Sequence, residues 1–431
     1  MDFRPELSWE FLSADEITAK SIRAVRNHVR HAKESSPWYK EKLFDINPED
    51  LQTVEAVQAL PITTKTEVTA DSHQFYGVDA EHIAETVITS GSSGKPLIVP
   101  LTANDLDRLA FNEALSFFGA GITSHDRAQI LVSLDRLFIA GMAYYRGLTL
   151  MRVNTTRIGV LPLDMQKYYI ELLKPTVLVG VPSFLKKLGH DMQKNGFDAA
   201  LSTVKKIICI GESLRDETMQ LNSVGTALES LFNAKVYSTY ATTELAVAYC
   251  ECEAQSGGHA HPELVYTEIL DDAGNQVPDG AIGELVATPL GVEGMPLIRY
   301  RTGDLTFKIA TGKPCACGRN SLRIGPIVGR KSQVIKCKGT TVYPLALTSA
   351  LDEMETIDDY VIVLEGDDSL SDAVTIYAAT APANIVAIVQ HLRARARVLF
   401  PVLVSNVRTI ESLRGQSRKK IRIIDKRVRR K

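Results

Sequence analysis

Long apolar runs are missing from this chain, and none approaches the ~20 residues that a membrane-spanning helix needs. A positively charged leader with an apolar segment is missing too. The chain opens Met1-Asp2-Phe3-Arg4-Pro5, which reads as no secretory signal. Neither sign of charge is in excess: 49 Lys and Arg face 51 Asp and Glu, a formal net charge of −2. Composition therefore implies no polyanionic partner. Cysteine is sparse, and six in 431 residues do not make a disulfide framework. No internal repeat and no low-complexity tract interrupts the chain. What is present is ordinary globular composition, 45% hydrophobic and 23% charged, in a chain long enough for two or three domains. The expectation is a soluble cytoplasmic protein with no membrane and no nucleic-acid partner. The tail Arg418–Lys431 holds nine Lys or Arg and reads as a solvated terminus, because the rest of the chain has no matching basic excess.

The most informative positive feature is the run Thr89-Ser90-Gly91-Ser92-Ser93-Gly94-Lys95-Pro96 between two apolar, β-rich stretches. A loop of small residues lets backbone N–H groups close around a phosphate, while hydroxyls and a lysine add donors and charge. It is not a Walker A loop, which needs four residues between its glycines and a Ser or Thr after the lysine. Here two residues separate Gly91 from Gly94, and Pro96 follows Lys95, which disfavours a helix starting there.

Helices are expected over 14–44, with a break near Ser36-Pro37, and over 105–118. The segment Leu60-Pro61-Ile62-Thr63-Thr64-Lys65 reads as a loop leading into another helix. Strands at 130–134, 176–181 and 206–211 alternate with helices at 165–173 and 183–194, the mark of doubly wound α/β architecture. After Val265 short strands and turns form a β-rich subdomain. From about Gly329 a small α+β unit of about 100 residues closes the chain. The expected division is 1–328, an N-terminal domain of α/β layers plus the β-rich subdomain, and 329–431, a small mobile α+β domain.

Other motifs accompany the loop. They are Tyr240-Ala241-Thr242-Thr243-Glu244, Tyr300-Arg301-Thr302-Gly303-Asp304, Gly329-Arg330, and Arg418-Lys419-Lys420-Ile421-Arg422 followed by Ile423-Ile424-Asp425-Lys426-Arg427. In this order and at these separations, the set resembles the adenylate-forming acyl-CoA ligase superfamily, and within it the phenylacetate–CoA ligase branch. The resemblance implies a Mg²⁺- and ATP-dependent ligase that joins a small carboxylic acid to coenzyme A through an acyl-adenylate, releasing pyrophosphate and then AMP.

The resemblance also implies roles. Thr89 to Lys95 hold the β- and γ-phosphates, Glu244 binds Mg²⁺, and Thr243 contacts the α-phosphate. Tyr240 belongs to the same nucleotide-contacting motif. Gly211-Glu212-Ser213 resembles the adenine loop, Asp304 receives the ribose hydroxyls, and Arg330 sits nearby at the hinge. Lys419 matches the catalytic lysine, delivered when the small domain closes. Two positions depart from the family: Arg330-Lys331-Ser332-Gln333 lacks a hinge acid, and Arg418 stands where glycine usually precedes the lysine.

Cysteines and histidines gather at Cys250, Cys252, His259, His261, Cys315 and Cys317, and pairs on turns suit tetrahedral zinc. Some ligases of this branch carry a structural zinc in this region. The expected ligands are Cys252, His259, Cys315 and Cys317. Cys250 and His261 are the alternates, a four-cysteine site stays open, and the site would hold the β-rich subdomain next to Glu244. Cys209 and Cys337 read as buried thiols. In this branch the acyl pocket is lined by the segment after a strand, matched here by 135–141, and by the residues before Tyr240; Phe138 and Tyr144 are its candidate walls, and Asp135 and Arg136 hint at a substituted or polar acid. Two alternatives remain: transfer to a carrier-protein thiol, and a catalytically silent nucleotide-binding homologue. Members of the branch are often dimers, so a homodimer is also carried as an expectation.

Overall fold

The computed structural model describes residues 3–89, 96–310, 314–337, 340–366, 372–396, 398–415 and 421–427. Its chain separates into two units. The first takes in Met1–Leu214, Gly225–Thr302 and Thr306–Pro326, the second Arg215–Val224, Gly303–Leu305 and Ile327–Lys431.

The first unit opens with helices. Ser13 caps α1 (Ala14–Ser35) by accepting from Glu16 N, while the Glu16 carboxylate reaches back to Ser13 N. Pro37 then starts α2 (Pro37–Lys42), where its missing N–H costs nothing. Two short helices come next, α3 (Val54–Gln58) and α4 (Lys65–Ala70), the latter opened by a second capping box of Thr64 and Glu67. Strands β1 (Glu85–Ile88) and β2 (Ile98–Leu101) pair antiparallel.

Strands and helices then alternate: α5 (Ala103–Gly119), β3 (Arg127–Ile130), α6 (Ile139–Leu150), β4 (Asn154–Arg157), α7 (Leu163–Leu173), β5 (Val177–Gly180), α8 (Pro182–Lys194), β6 (Lys206–Ile210), α9 (Ser223–Phe232) and β7 (Lys235–Thr242). Short strands succeed them: β8 (Val247–Glu251), β9 (Gly258–His259), β10 (Val265–Leu270), β11 (Ile282–Pro289), β12 (Tyr300–Phe307) and β13 (Arg323–Ile324). The large sheet runs β13-β9-β8-β7-β6-β5-β3-β4. It is parallel from β7 to β4 and antiparallel from β7 to β13. Side chains alternate between its faces. Val177, Val179, Ile208 and Ile210 pack with Phe117 and Tyr144 on one side. Leu178, Ile207 and Cys209 are equally buried on the other, where Leu185 of α8 closes on Gly180. The first unit is thus doubly wound α/β, as expected, with the pair β10–β11 beside the large sheet.

One element is displaced from its expected position. Composition places a strand at 130–134, yet β3 ends at Ile130. Leu131 and Val132 are buried, but the chain is already leaving the sheet there, on its way to positive φ at Arg136 and Leu137. Apolar composition marks burial, not extended backbone.

In the second unit β14 (Gly329–Arg330) pairs antiparallel with Asp304 and Leu305. The hairpin β15 (Ile335–Cys337) and β16 (Thr340–Val342) is next. Then come α10 (Pro344–Asp352), β17 (Asp359–Glu365), β18 (Ala373–Ala379), α11 (Ile385–Ala396), β19 (Val402–Ser405), α12 (Val407–Arg414) and β20 (Ile423–Asp425). Their sheet runs β19-β18-β17-β20, and its core includes Leu347, Leu351, Ile362, Ile376, Ile388 and Leu392. No helix among the described residues is long and apolar enough to cross a membrane.

A buried acid in α5 gives a prediction about stability. Glu113 is 3% exposed, its Oε2 has no partner among the described residues, and burial pushes its pKa up to about 8. The folded chain therefore keeps a proton that the unfolded chain releases near pH 4.5. The stability this group contributes is complete below that value and is lost as pH rises through 8. Glu113→Gln, neutral and of the same shape, is expected to exceed the parent by about 4–5 kcal/mol at pH 8.5 and to come within about 1 kcal/mol of it near pH 5. Urea unfolding at both pH values checks this; parallel pH profiles would contradict it.

Candidate functional site

Sheet topology points to one edge. After β3 the chain places β4 on one side and β5 on the other, so the winding reverses between β3 and β5. In open parallel sheets ligands settle outside the carboxyl ends of the strands at such a reversal. Five loops of the first unit leave those ends: 131–138, 158–162, 181–183, 211–213 and 243–246.

The first loop turns tightly onto the head of α6. A Cβ on Gly141 would stand 2.1 Å from Ser133 O, so only glycine fits. Leu137 O accepts from Ile88 N at 3.1 Å, which ties this loop to the base of the connection between β1 and β2, beyond their last pair, Ile88 with Ile98. At that base Thr89 Oγ1 accepts from Leu97 N at 2.9 Å. Ser90, Gly91, Ser92, Ser93, Gly94 and Lys95 lie outside the described residues. Of the two aromatic walls expected, Phe138 is half-buried at the start of α6. Tyr144 is 1% exposed and edge-on to Phe117, with ring centroids 5.7 Å apart.

In the 211–213 loop the Glu212 carboxylate accepts from Ser183 N at 2.9 Å and from Ser183 Oγ at 2.7 Å. It therefore caps the first turn of α8. Gly211 has φ +84° and nothing within 4 Å of where a Cβ would stand, an open backbone that a flat ring can approach. Tyr240 lies on β7, its ring centroid 5.9 Å from that of Tyr249.

Thr243 and Glu244 occupy the turn that joins β7 to β8, where the last pair is Thr242 with Val247. Leu245, fully buried, anchors the turn, and Ala246 closes it at φ 47°. Glu244 is 9% exposed. Its Oε1 lies 3.1 Å from Lys65 Nζ and 3.4 Å from Tyr300 Oη. Its Oε2 has no hydrogen-bond partner among the described residues. A carboxylate oxygen with spare acceptor capacity suits a hard cation.

Lys65 belongs to none of the sequence motifs, and the structure holds it firmly. Thr63 pairs like a strand residue beside Tyr300, with Thr63 N donating to Arg299 O at 3.1 Å and Arg301 N donating to Thr63 O at 2.9 Å. Tyr39 Oη lies 2.7 Å from Thr63 Oγ1 and accepts from Ile298 N at 2.8 Å. Beneath them the buried Arg299 guanidinium bonds both Glu268 oxygens at 2.9 Å and donates to Leu60 O and Gln58 O.

In the second unit Asp304 and Arg330 are register partners, and Arg330 Nε lies 3.3 Å from Asp304 Oδ1. The aspartate is 8% exposed. Lys419 lies outside the described residues.

The cysteine and histidine candidates resolve into one cluster. The ligand atoms of Cys252, His259, Cys315 and Cys317 all lie within 4.8 Å of one another. Cys252 Sγ is 3.6 Å from Cys315 Sγ, and Cys317 Sγ is 3.6 Å from His259 Nε2. Zinc bonds of about 2.3 Å to sulfur and about 2.05 Å to nitrogen give tetrahedral edges of about 3.8 Å and about 3.6 Å, so this donor set fits the ion. A hydrogen bond to Cys252 lowers the pKa of Cys317, and His259 lowers that of Cys315. The other His259 nitrogen, Nδ1, lies 2.9 Å from Ser321 Oγ, which donates to Glu10 Oε1 at 3.3 Å. Such a chain fixes the ring and its tautomer. Burial works to raise the Glu10 pKa, but His261 and Arg319 overcome it and leave it lowered.

The two alternates take other partners. Cys250 meets Thr239 and Glu251 O, and His261 meets Ser116 and Glu10. The cluster sits at β9 and the turns beside β8 and β13, so it ties the antiparallel edge of the large sheet rather than the β10–β12 subdomain. The five residues of β8 separate it from Glu244, about 17 Å of strand.

The parallel sheet, with its winding reversed between β3 and β5, defines an α/β protein of the doubly wound class. Residues 17–292 match the AMP-binding enzyme family, and the chain belongs to it. Phenylacetate-coenzyme A ligase of Thermus thermophilus is 27% identical over 379 residues, covering 86% of this chain and 83% of that protein. The Aromatoleum evansii protein of the same name is 29% identical over 341 residues, covering 78% and 75%. Among solved structures, 2-hydroxyisobutyryl-CoA ligase in its postadenylation state shares the fold with a TM-score of 0.84 at 21% identity, covering 96% of this chain and 91% of that one.

Proposed function

We propose that this chain is a Mg·ATP-dependent acid–CoA ligase acting in the cytoplasm on a small carboxylic acid. In the first step a carboxylate oxygen attacks the α-phosphorus, the bond to the bridging oxygen breaks, and pyrophosphate leaves. In the second the coenzyme A thiolate attacks the acyl carbon, and AMP leaves with the bonding pair. The observation that carries this reading is the Thr243-Glu244 turn, fixed by buried Leu245 at the carboxyl edge of the parallel sheet.

Glu244 is the residue that would hold Mg²⁺, and the bound ion supplies charge neutralisation at phosphate oxygens. Thr243 and Thr89 to Lys95 would line the phosphates, Gly211 and Tyr240 the base, and Asp304 with Arg330 the ribose. Lys419, carried by the closing small domain 329–431, would bridge carboxylate and α-phosphate oxygens as charge converges there. Phe138 is the better placed wall for the acyl group, since Tyr144 belongs to the core. Cys252, His259, Cys315 and Cys317 would hold a structural zinc; four protein donors leave no position for substrate.

Similarity to proteins named as phenylacetate-coenzyme A ligases favours coenzyme A over a carrier-protein thiol and an aryl or arylacetic acid as substrate. Glu244, Asp304 and Lys419 argue against a silent homologue. The test is pyrophosphate release from Mg·ATP with a panel of arylacetates, benzoates, hydroxy acids and fatty acids, each with and without coenzyme A. Acid-dependent release that speeds up with coenzyme A, together with a new thioester by mass, is expected. Release indifferent to coenzyme A would transfer the reading to a carrier thiol.

A further inference from the structure

Lys65 lies 65 residues into the chain and 179 residues from Glu244 in sequence, yet its ammonium stands 3.1 Å from the carboxylate. Both groups are partly withdrawn from water: the Lys65 side chain is 32% exposed and that of Glu244 10%. The contact is not that of a loose surface lysine. Residues 58–64 are bolted through Arg299, Thr63 and Tyr39, and the capping box of Thr64 and Glu67 fixes Lys65 as the first residue of α4. A cation at the first turn of a helix opposes the helix dipole, so local preference does not explain it there. The partner does.

The electrostatics set a problem that this pair solves. A carboxylate placed to receive a divalent ion repels nucleotide phosphates whenever the ion is absent. At ~4 Å and an effective dielectric of about 20, unit charges interact by several kcal/mol, so an uncompensated Glu244 would weaken nucleotide binding well before any metal arrives. We propose that Lys65 is a positioning residue that serves as the resident counter-ion of Glu244. It holds Oε1 through its ammonium, leaves Oε2 for the metal, and keeps the site electrically neutral until Mg²⁺ takes over the charge. The proposal rests on the reading of Glu244 as the metal-binding carboxylate.

The signature is a change in the coupling between metal and nucleotide, which a merely structural contact would not produce. The probe is the β,γ-imido analogue of ATP, titrated calorimetrically into the intact protein in Mg²⁺-free buffer and again at saturating Mg²⁺. Lys65→Met is expected to weaken Mg²⁺-free binding about tenfold and binding at saturating Mg²⁺ less than threefold, since the metal replaces the lost charge. Lys65→Arg should keep both affinities. In Lys65→Met/Glu244→Gln the carboxylate charge is gone, and Mg²⁺-free binding should return to near the parent value, which also shows that Lys65→Met folds. An equal loss with and without Mg²⁺, or no loss in either, overturns the proposal. Glu244→Gln separates the two readings. If it keeps the parent's Mg²⁺ dependence, the assignment of Glu244 fails and the Lys65 proposal falls with it. If it loses that dependence while Lys65→Met behaves as the parent, only the role of Lys65 is wrong.

Discussion

Lys419→Ala is expected to slow acyl-adenylate formation by about 10²–10³-fold, a loss of about 3–4 kcal/mol of transition-state stabilisation. The expectation starts from sequence, because the lysine itself lies outside the described residues, and it gains support from the residues C-terminal to it. Arg422, three residues on, bonds Asp352 and Tyr360 Oη and lies over the Tyr360 ring at 4.9 Å. Arg422 O accepts from Ile362 N at 2.8 Å. Arg427 is held by Asp425 and Asp372. The motif after the lysine is thus an anchored strand of the small domain, β20, parallel to β17, and not a solvated run of charge. The measurement is ATP–pyrophosphate exchange, paired with thioester formation from synthetic acyl-adenylate and coenzyme A. Exchange should collapse while the second reaction stays near the parent rate, because the lysine acts where phosphate and carboxylate charges converge. Parent-like exchange in the variant would remove Lys419 from the chemistry.

How far the sequence discloses this site depends on which interactions are local. Strands β5 and β6 are legible because parallel strands buried on both faces read as short apolar runs. The Thr243-Glu244 turn is legible because its residues are adjacent. The pairing of Lys65 with Glu244 is not, since no local pattern links residues 179 positions apart. The one available signal is the Thr64-x-x-Glu67 capping box, which places Lys65 at a helix start where a cation is disfavoured. Glu212 shows the converse. Its motif position suggests the base, yet the carboxylate is spent on the first turn of α8. The choice between Cys250 and Cys252 turns on where a strand stops. Cys250 is still within β8 and opposite Thr239, whereas Cys252 lies just past the strand's last residue, Glu251, and is free to turn toward the Cys315–Cys317 loop. Spacing alone cannot say where a strand ends.

Cys317→Ser is expected to abolish zinc binding and to lower the melting temperature by about 10 °C or more. The metal content should fall from about one ion per chain to under ~0.2. The size of the effect reflects the elements that the cluster joins. Its four donors come from the turn after β8, from β9, and from the loop before β13. On that loop Asn320 N donates to Glu10 O at 2.7 Å, Asn320 Nδ2 donates to Leu12 O at 2.8 Å, and Arg319 Nε meets Glu10 Oε2 at 3.1 Å. Releasing the ion therefore frees the antiparallel edge of the large sheet together with residues 5–12, and limited proteolysis should cut first within those residues. Cys250→Ser is the matched control, a thiol two positions away from Cys252 whose partners are Thr239 and Glu251 O, and it should keep its zinc. Because the strand β8 separates the cluster from Glu244, the Cys317→Ser protein that remains folded at low temperature should retain nucleotide binding. Less than ~0.2 ion per chain in the parent protein, purified without chelator, would defeat the zinc assignment outright. A metal-free variant as stable as the parent would leave the cluster a binding site with no structural role.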